Sequence, residues 1–313
     1  MTGAIAISAL ALTGSAAESL FDESTRAQML RHGDGPVAHI ETEYNDLFIA
    51  KSGSFLLMST RYRAESNIHS IVNLMDPDEL PAPYTRFMSA GLLYAQQVGR
   101  ILMIGLGAGS VSTYLARAMP QARIDVVELD PGVISAAHKY FGVQATDRVR
   151  IVESDARVYL KRHSELYDLI LLDAYRELGV PFHLLTKEFY ALVKERLAPG
   201  GAVAANIAGG TKLYASTLVT LRAVFAGVDV YPEYETANEA QVVVVASPAS
   251  APGTQMLLQR AEALQERYRF RYPLPGLLKK RVTSHNAEQG ELLTDDFAPV
   301  NLYETTPLKS RLR

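Results

Sequence analysis

Ile101-Leu102-Met103-Ile104-Gly105-Leu106-Gly107-Ala108-Gly109 joins a short apolar run to a turn of alternating glycines, and Val111 to Met119 beyond it has helical apolar spacing. Glycines between a strand and a helix permit a tight turn and let a ligand approach the main chain closely. Gly105, Gly107 and Gly109 are therefore candidate nucleotide-binding residues. A purely structural glycine turn has the same local pattern, so the assignment depends on the flanking sequence.

Outward from this turn the rhythm repeats. Arg123 to Val127, Val149 to Val152 and Leu169 to Leu172 read as strands, separated by helical segments over Val133 to Phe141 and Ala156 to His163. A helix over Thr186 to Leu197 follows, and Pro199-Gly200-Gly201 turns the chain into an Ala202 to Asn206 strand. Apolar β-branched runs alternating with amphipathic segments indicate a parallel sheet covered on both faces. A helix over Tyr214 to Phe225 and an antiparallel edge near Val228 to Tyr231 and Gln241 to Ala246 bring the total to about seven strands. This is the order of an α/β, methyltransferase-like Rossmann domain.

Before it, His39-Ile40-Glu41, Leu47-Phe48-Ile49 and Phe55-Leu56-Leu57-Met58 are β-like runs divided by Asn45-Asp46 and Ser52-Gly53 turn signals, a small N-terminal antiparallel β unit. Prolines near Asp76 to Pro83 punctuate the chain, and Tyr84 to Gln97 reads as a connecting helix. The expected division is an N-terminal segment over 1–36, the β unit and connecting helix over 37–97, a Rossmann-type nucleoside-binding domain over 98–250, and a C-terminal helix and tail over 251–313 packed on it. The helix spans Met256 to Arg269; the tail reads as a packed appendage or a lid over the site.

Composition narrows the partners. Among 313 residues the net charge is -3 and basic residues are scattered, which excludes the concentrated positive field that nucleic-acid binding needs. Cysteine is absent, removing disulfides, thiol nucleophiles and thiolate metal sites, and a cytoplasmic location is expected. The seven histidines show no close pair at ligand spacing, so no metal is expected. Residues 2–17 carry no charge and read as a disordered or membrane-associated segment, without the basic flank of a signal peptide or the roughly 20 apolar residues of a spanning helix.

Carboxylates recur at the strand ends. Val127-Glu128-Leu129-Asp130 lies nineteen residues past Gly109, placing Glu128 where a ribose diol would lie, while Asp130 before Pro131 suits a helix N-cap. Asp155 in Ser154-Asp155-Ala156 can accept from an adenine amine or cap the next helix. Asp173 ends the following strand, at the sheet edge where open α/β folds hold ligands.

Asp173-Ala174-Tyr175-Arg176-Glu177 through Leu184-Leu185-Thr186-Lys187-Glu188-Phe189-Tyr190 resembles the spermidine synthase stretch that begins Asp-Ser-Ser-Asp-Pro and ends Leu-Phe-Thr-Glu-Glu-Phe-Tyr. Glu43-Tyr44-Asn45-Asp46, Tyr84 and the Val127 to Asp130 turn extend the likeness over about Glu41 to Asn206. Leu293-Thr294-Asp295-Asp296-Phe297-Ala298-Pro299 resembles the tail of bacterial spermidine-synthase-like proteins. The resemblance implies aminopropyl transfer from decarboxylated S-adenosylmethionine to an amine acceptor by a homodimeric enzyme. It makes Asp173 the base with Tyr84 beside it, Glu128 the ribose ligand and Asp155 the adenine ligand. Asn45, where the family has Gln, would help orient the nucleoside.

Three departures cut against a plain spermidine synthase. Ala108 stands where the family's glycine loop has the Asp that anchors the donor's ammonium, Arg176 where its motif has a second Asp, and Arg86 where its connecting helix has Glu. Fewer acids and two added guanidiniums would disfavour a diamine, because unpaired charge taken out of water costs several kcal/mol. Arg86 and Arg176 are thus acceptor-side candidates, and His183, within the matched stretch, either faces the acceptor side as well or serves loop packing. Two other readings stay open: a methyltransferase using intact S-adenosylmethionine, and a non-catalytic nucleoside-binding module.

Overall fold

A computed structural model describes residues 20–60, 68–175, 180–209, 212–232, 241–283 and 290–297. The chain opens with helix α1 (Glu23–Arg31) and the strands β1 (Gly35–Glu41), β2 (Asp46–Ser52), β3 (Phe55–Ser59) and β4 (Ile68–Asn73). These strands form the expected small sheet, antiparallel throughout in the order β1-β2-β3-β4. Helix α2 (Pro83–Met88) leads to β5 (Arg100–Ile104), α3 (Ser110–Ala118), β6 (Arg123–Glu128), α4 (Pro131–Phe141), β7 (Val149–Glu153), α5 (Ala156–Arg162) and β8 (Tyr167–Leu172). Then come α6 (Lys187–Glu195), β9 (Leu197–Ala208), α7 (Lys212–Val224), β10 (Gly227–Pro232), β11 (Gln241–Ser247), α8 (Thr254–Tyr268) and α9 (Leu274–Leu278).

The main sheet has seven strands in the order β10-β11-β9-β8-β5-β6-β7. Strands β9, β8, β5, β6 and β7 run parallel, and β11 and β10 add the antiparallel edge. Successive residues of the central strands feed different cores: Ile101, Met103, Leu169 and Leu171 pack with α3 and α4, while Leu102, Ile104, Ile170 and Leu172 pack with α5, α6 and α7. Burial on both faces is why these strands read as unbroken apolar runs. Chain order reverses between β5 and β8, a topological switch point that opens a crevice at the carboxyl ends of these strands.

Two segments differ from the sequence reading. The helix expected over Tyr84 to Gln97 ends at Met88 and continues as a 3-10 turn over Ser89–Leu93, buried throughout. Gly91 seats that turn directly on the sheet, since a Cβ there would lie 2.7 Å from Leu169 Cδ1 and 3.0 Å from Ala204 Cβ. Within the N-terminal segment, Glu23–Arg31 is helical, capped by Asp22, whose side chain accepts from the Ser24 amide at 2.9 Å. Residues 20–22 are tied to the main domain by Asp22 N donating to Gly142 O and Gln144 N to Leu20 O. The apolar stretch 2–17 lies outside the described residues, among which no helix is long and apolar enough to cross a membrane.

The C-terminal part packs on the domain. Arg281 reaches buried Asp229 at 2.8 Å, and Asp229 accepts in turn from Tyr94 OH at 2.7 Å. Farther on, Leu293 is fully buried against Leu185, and its carbonyl accepts from Lys187 N at 2.8 Å.

Candidate active site

The glycine turn is built by close backbone approach. Gly105 has φ +99°, and a Cβ on it would sit 2.2 Å from the Asp173 carbonyl oxygen, so β5 and β8 can leave the sheet side by side only with glycine here. Gly107 has φ +53°, and its missing Cβ makes room for Ser70 Oγ, which accepts from the Ala108 amide at 3.0 Å. Gly109 serves packing: it precedes α3, and Val143 fills the space beside it. It does not line the cavity described next, contrary to its assignment as a binding residue.

A cavity of about 300 Å³ opens at the switch point, floored by Gly105 to Gly107 and walled by Glu128, Asp155 and Asp173. Tyr84, Asn45 and His183 also line it. Residues chosen from separate strand ends thus meet in one cleft. Among the described lining residues the charged groups are carboxylates, Glu128, Asp130, Asp155 and Asp173, and none is Lys or Arg.

Glu128, the last residue of β6, accepts from Leu106 N at 2.9 Å and from Asp130 N at 3.0 Å. Burial pushes its carboxyl above the ordinary value, against those backbone hydrogen bonds. Asp130 caps α4 through Gly132 N at 2.8 Å, as expected, and its other oxygen accepts from Thr42 Oγ1 and Asn45 Nδ2, both at 2.7 Å. It therefore fastens the small sheet to the main domain. Asn45 lines the cavity with its amide nitrogen already committed to that contact.

Asp155 caps α5, one of the two roles foreseen for it, accepting from Val158 N at 2.9 Å, and it also lines the cavity. Its second oxygen lies 2.9 Å from His183 Nε2. Burial raises its proton affinity, but the Val158 amide and His183 outweigh that and hold the carboxyl below its ordinary range. His183, open in the sequence between an acceptor-side position and loop packing, lies on a 3-10 turn over Phe182–Leu184 with its ring against Asp155.

Asp173 is partly buried at the end of β8. It accepts from Asn206 Nδ2 at 2.9 Å on one oxygen and from Tyr84 OH at 3.3 Å on the other. Desolvation raises its proton affinity above the ordinary carboxylate, more than the two hydrogen bonds lower it. Asn206 is itself 3% exposed, and its Oδ1 has no hydrogen-bond partner. The sequence reading used Asn206 only as the end of a strand. The available signal was a polar side chain closing the otherwise apolar run Ala202 to Ala205, one residue beyond the Leu172–Ala205 pairing that sets it beside Asp173. Ser70 and Gln241, also in the lining, had no comparable signal.

Arg86 departs from expectation. Its Nε donates to the Leu80 carbonyl at 2.8 Å and its guanidinium lies over the Tyr272 ring, 4.7 Å from the centroid. It is not in the cavity lining, because the guanidinium finds the Leu80 carbonyl just before α2 and the aromatic face of Tyr272 in the C-terminal segment. Arg176 falls outside the described residues. Among the described residues one group of metal-ligand types comes together, His39, Glu41 and Asp46 on exposed faces of β1 and β2, away from this cleft.

A profile of the spermine/spermidine synthase domain matches residues 84–236. The polyamine aminopropyltransferase of Vibrio vulnificus is 34% identical over 280 residues, which cover 86% of this chain and 92% of that protein. Among solved structures, a probable spermidine synthase from Corynebacterium glutamicum superposes with a TM-score of 0.62 at 22% identity, covering 74% of this chain and 93% of that one. A spermidine synthase in complex with the transition-state analogue AdoDATO gives 0.59 at 18% identity, over 79% and 87% of the two chains. These two structures share the fold. The chain belongs to the spermine/spermidine synthase family of aminopropyl-transferring enzymes.

Proposed function

We propose that this protein transfers the aminopropyl group of decarboxylated S-adenosylmethionine to an aliphatic amine, releasing methylthioadenosine, with Asp173 as the base. The observation that carries this reading is the acidic cavity lining without Lys or Arg among the described residues. A donor that is cationic at both sulfonium and amine suits such a lining. Intact S-adenosylmethionine adds a carboxylate that would lie among like charges, which disfavours the methyltransferase reading.

The donor supplies a carbon activated by its sulfonium. As the amine nitrogen forms its bond to that carbon, the carbon–sulfur pair departs with sulfur and the nitrogen sheds a proton. Asp173 suits that proton: it is enclosed, its affinity for protons is raised, and Tyr84 and Asn206 fix its orientation. Asn206 Oδ1, buried and unpartnered, is a second acceptor for an amine N–H at the same place. Glu128 is the ribose candidate and Asp155 the adenine candidate, supported by their positions at the ends of adjacent strands in one cleft. Asn45, tied to Asp130, bears on the nucleoside by holding the wall in place.

The charge argument against a diamine acceptor loses Arg86 and rests on Arg176. Assembly as a homodimer is supported by the family resemblance. Parallel calorimetry with decarboxylated and intact S-adenosylmethionine tests the donor assignment. The decarboxylated form should bind at least about tenfold tighter, or 1.4 kcal/mol. Equal or tighter binding of the intact form would return the methyltransferase reading to first place.

A further inference from the structure

The segment 290–297 is bound to the outer side of the same turn whose inner side lines the cavity. Gly290 lies against the α7 backbone, where a Cβ would come 2.3 Å from the Ala215 carbonyl oxygen, and Glu291 N donates to Ser216 Oγ at 3.0 Å. Leu293 N donates to Thr220 Oγ1 at 3.0 Å, and the Leu293 carbonyl accepts from Lys187 N at the start of α6. The strap then reaches α5: Asp295 receives a two-pronged contact from Arg157, NH1 to Oδ1 at 2.8 Å and NH2 to Oδ2 at 2.5 Å. The Asp295 amide is held as well, donating to Glu188 Oε2 at 3.0 Å.

Arg157 stands between strap and site. Its NH1 also contacts the His183 carbonyl at 3.4 Å, and it is two residues along the chain from Asp155. His183 therefore has its backbone held by Arg157 and its ring against Asp155. Pro181, His183 and Leu184 form the cavity wall on this side. The wall has no strand or long helix of its own, only a 3-10 turn of three residues. Leu184 anchors it in the core, and the strap outside and Asp155 inside hold the rest of the turn.

We propose that Asp295 and Arg157 are positioning residues for the nucleoside end of the site: the strap clamps the 181–184 turn through Arg157 and sets how tightly the donor and methylthioadenosine are held, without entering the transfer step. This rests on the functional reading above. A contact spanning residues 157 and 295 is chemically a fork of guanidinium on carboxylate, the arrangement that fixes orientation as well as distance. The Arg157 side chain is 16% exposed and that of Asp295 41%, so added salt screens the contact only in part. Its loss should show in binding rather than in the reaction of bound donor, because neither residue lines the cavity.

The test is methylthioadenosine calorimetry on the full chain, alongside kcat at saturating donor and the melting temperature. Asp295→Ala should raise the methylthioadenosine Kd by about three- to thirtyfold, the range of couplings carried through such contacts. Its kcat at saturating donor should stay within about twofold of wild type, a split between binding and turnover that a general loss of fold does not give. Asp296→Ala, one residue along, should bind as wild type does. Arg157→Lys, which keeps a charged donor but not the fork, should bind with an affinity between those of wild type and Asp295→Ala. Wild-type affinity in Asp295→Ala, or an affinity lost only in proportion to the fraction unfolded at the assay temperature, would overturn the proposal. Failure of the wild-type protein itself to bind methylthioadenosine would instead overturn the nucleoside reading of the site.

Discussion

Two partly buried carboxylates, Glu128 and Asp173, have proton affinity raised by desolvation and are suited to different work by their partners. Glu128 accepts from two backbone amides, so it is held as a fixed acceptor facing the cleft. In Glu128→Gln only one side-chain oxygen remains, and an amide NH₂ must face a backbone N–H. Methylthioadenosine binding should weaken by about 1.5 to 3 kcal/mol, the worth of hydrogen bonds to a charged group; calorimetry showing unchanged affinity would make the carboxylate purely structural. Asp173 has two side-chain donors instead, whose geometry leaves it able to take a proton. A base must be deprotonated, and the deprotonated form is lost as pH falls through its pKa. Since that pKa is raised, kcat/KM should decline on the acid side at a pH clearly above the ordinary carboxylate value of about 4. A profile flat down to about pH 4 would exclude Asp173 as the base. Both residues were readable in the sequence because each follows an apolar strand. Asn206, the third polar group at this spot, was harder to see, since the chain gives no sign that its strand lies beside that of Asp173.

At the scale of elements, the turn between β5 and α3 decides whether a site forms. Gly105→Ala would place a methyl group within 2.2 Å of the Asp173 carbonyl in a backbone conformation that side chains rarely adopt. The conformation alone costs about 1 to 3 kcal/mol, and relief of the clash must move Asp173. Urea denaturation should therefore show a loss of at least that size, together with a drop in transfer activity of the folded fraction. A variant as stable and as active as wild type would contradict the close approach of the two strands. The β-strands and most helices were legible because their apolar residues face two cores and leave long unbroken runs. Less legible were the elements whose form is set by tertiary contact. Glu23–Arg31 is almost wholly polar, with Met29 its buried residue, so its signal was the Asp22 cap rather than periodicity. The 3-10 turn at Ser89–Leu93 has helical composition, but its docking on β8 and β9 tightens it.

Over the whole molecule, what the sequence could not convey is which distant segments hold one another. Asp130 joins the two sheets through Thr42 and Asn45, eighty-eight and eighty-five residues away. Arg86, expected in the acceptor pocket from its place in the aligned helix, is drawn off by Leu80 and by Tyr272 from the C-terminal segment. The buried Arg281–Asp229 pair ties that same segment to the antiparallel edge of the main sheet. The Asp130 contacts bring both sheets to one acidic cleft, and the account of function depends on that cleft carrying out transfer. The most direct measurement is methylthioadenosine release from decarboxylated S-adenosylmethionine across a panel of amines, with the aminopropylated product identified by mass, in wild type and in Asp173→Asn. The account requires amine-dependent release by wild type and a rate about 10² to 10⁴ lower in the variant, the usual contribution of a general base. Release independent of amine, absence of an aminopropylated product with every amine tried, or full activity in Asp173→Asn would contradict it.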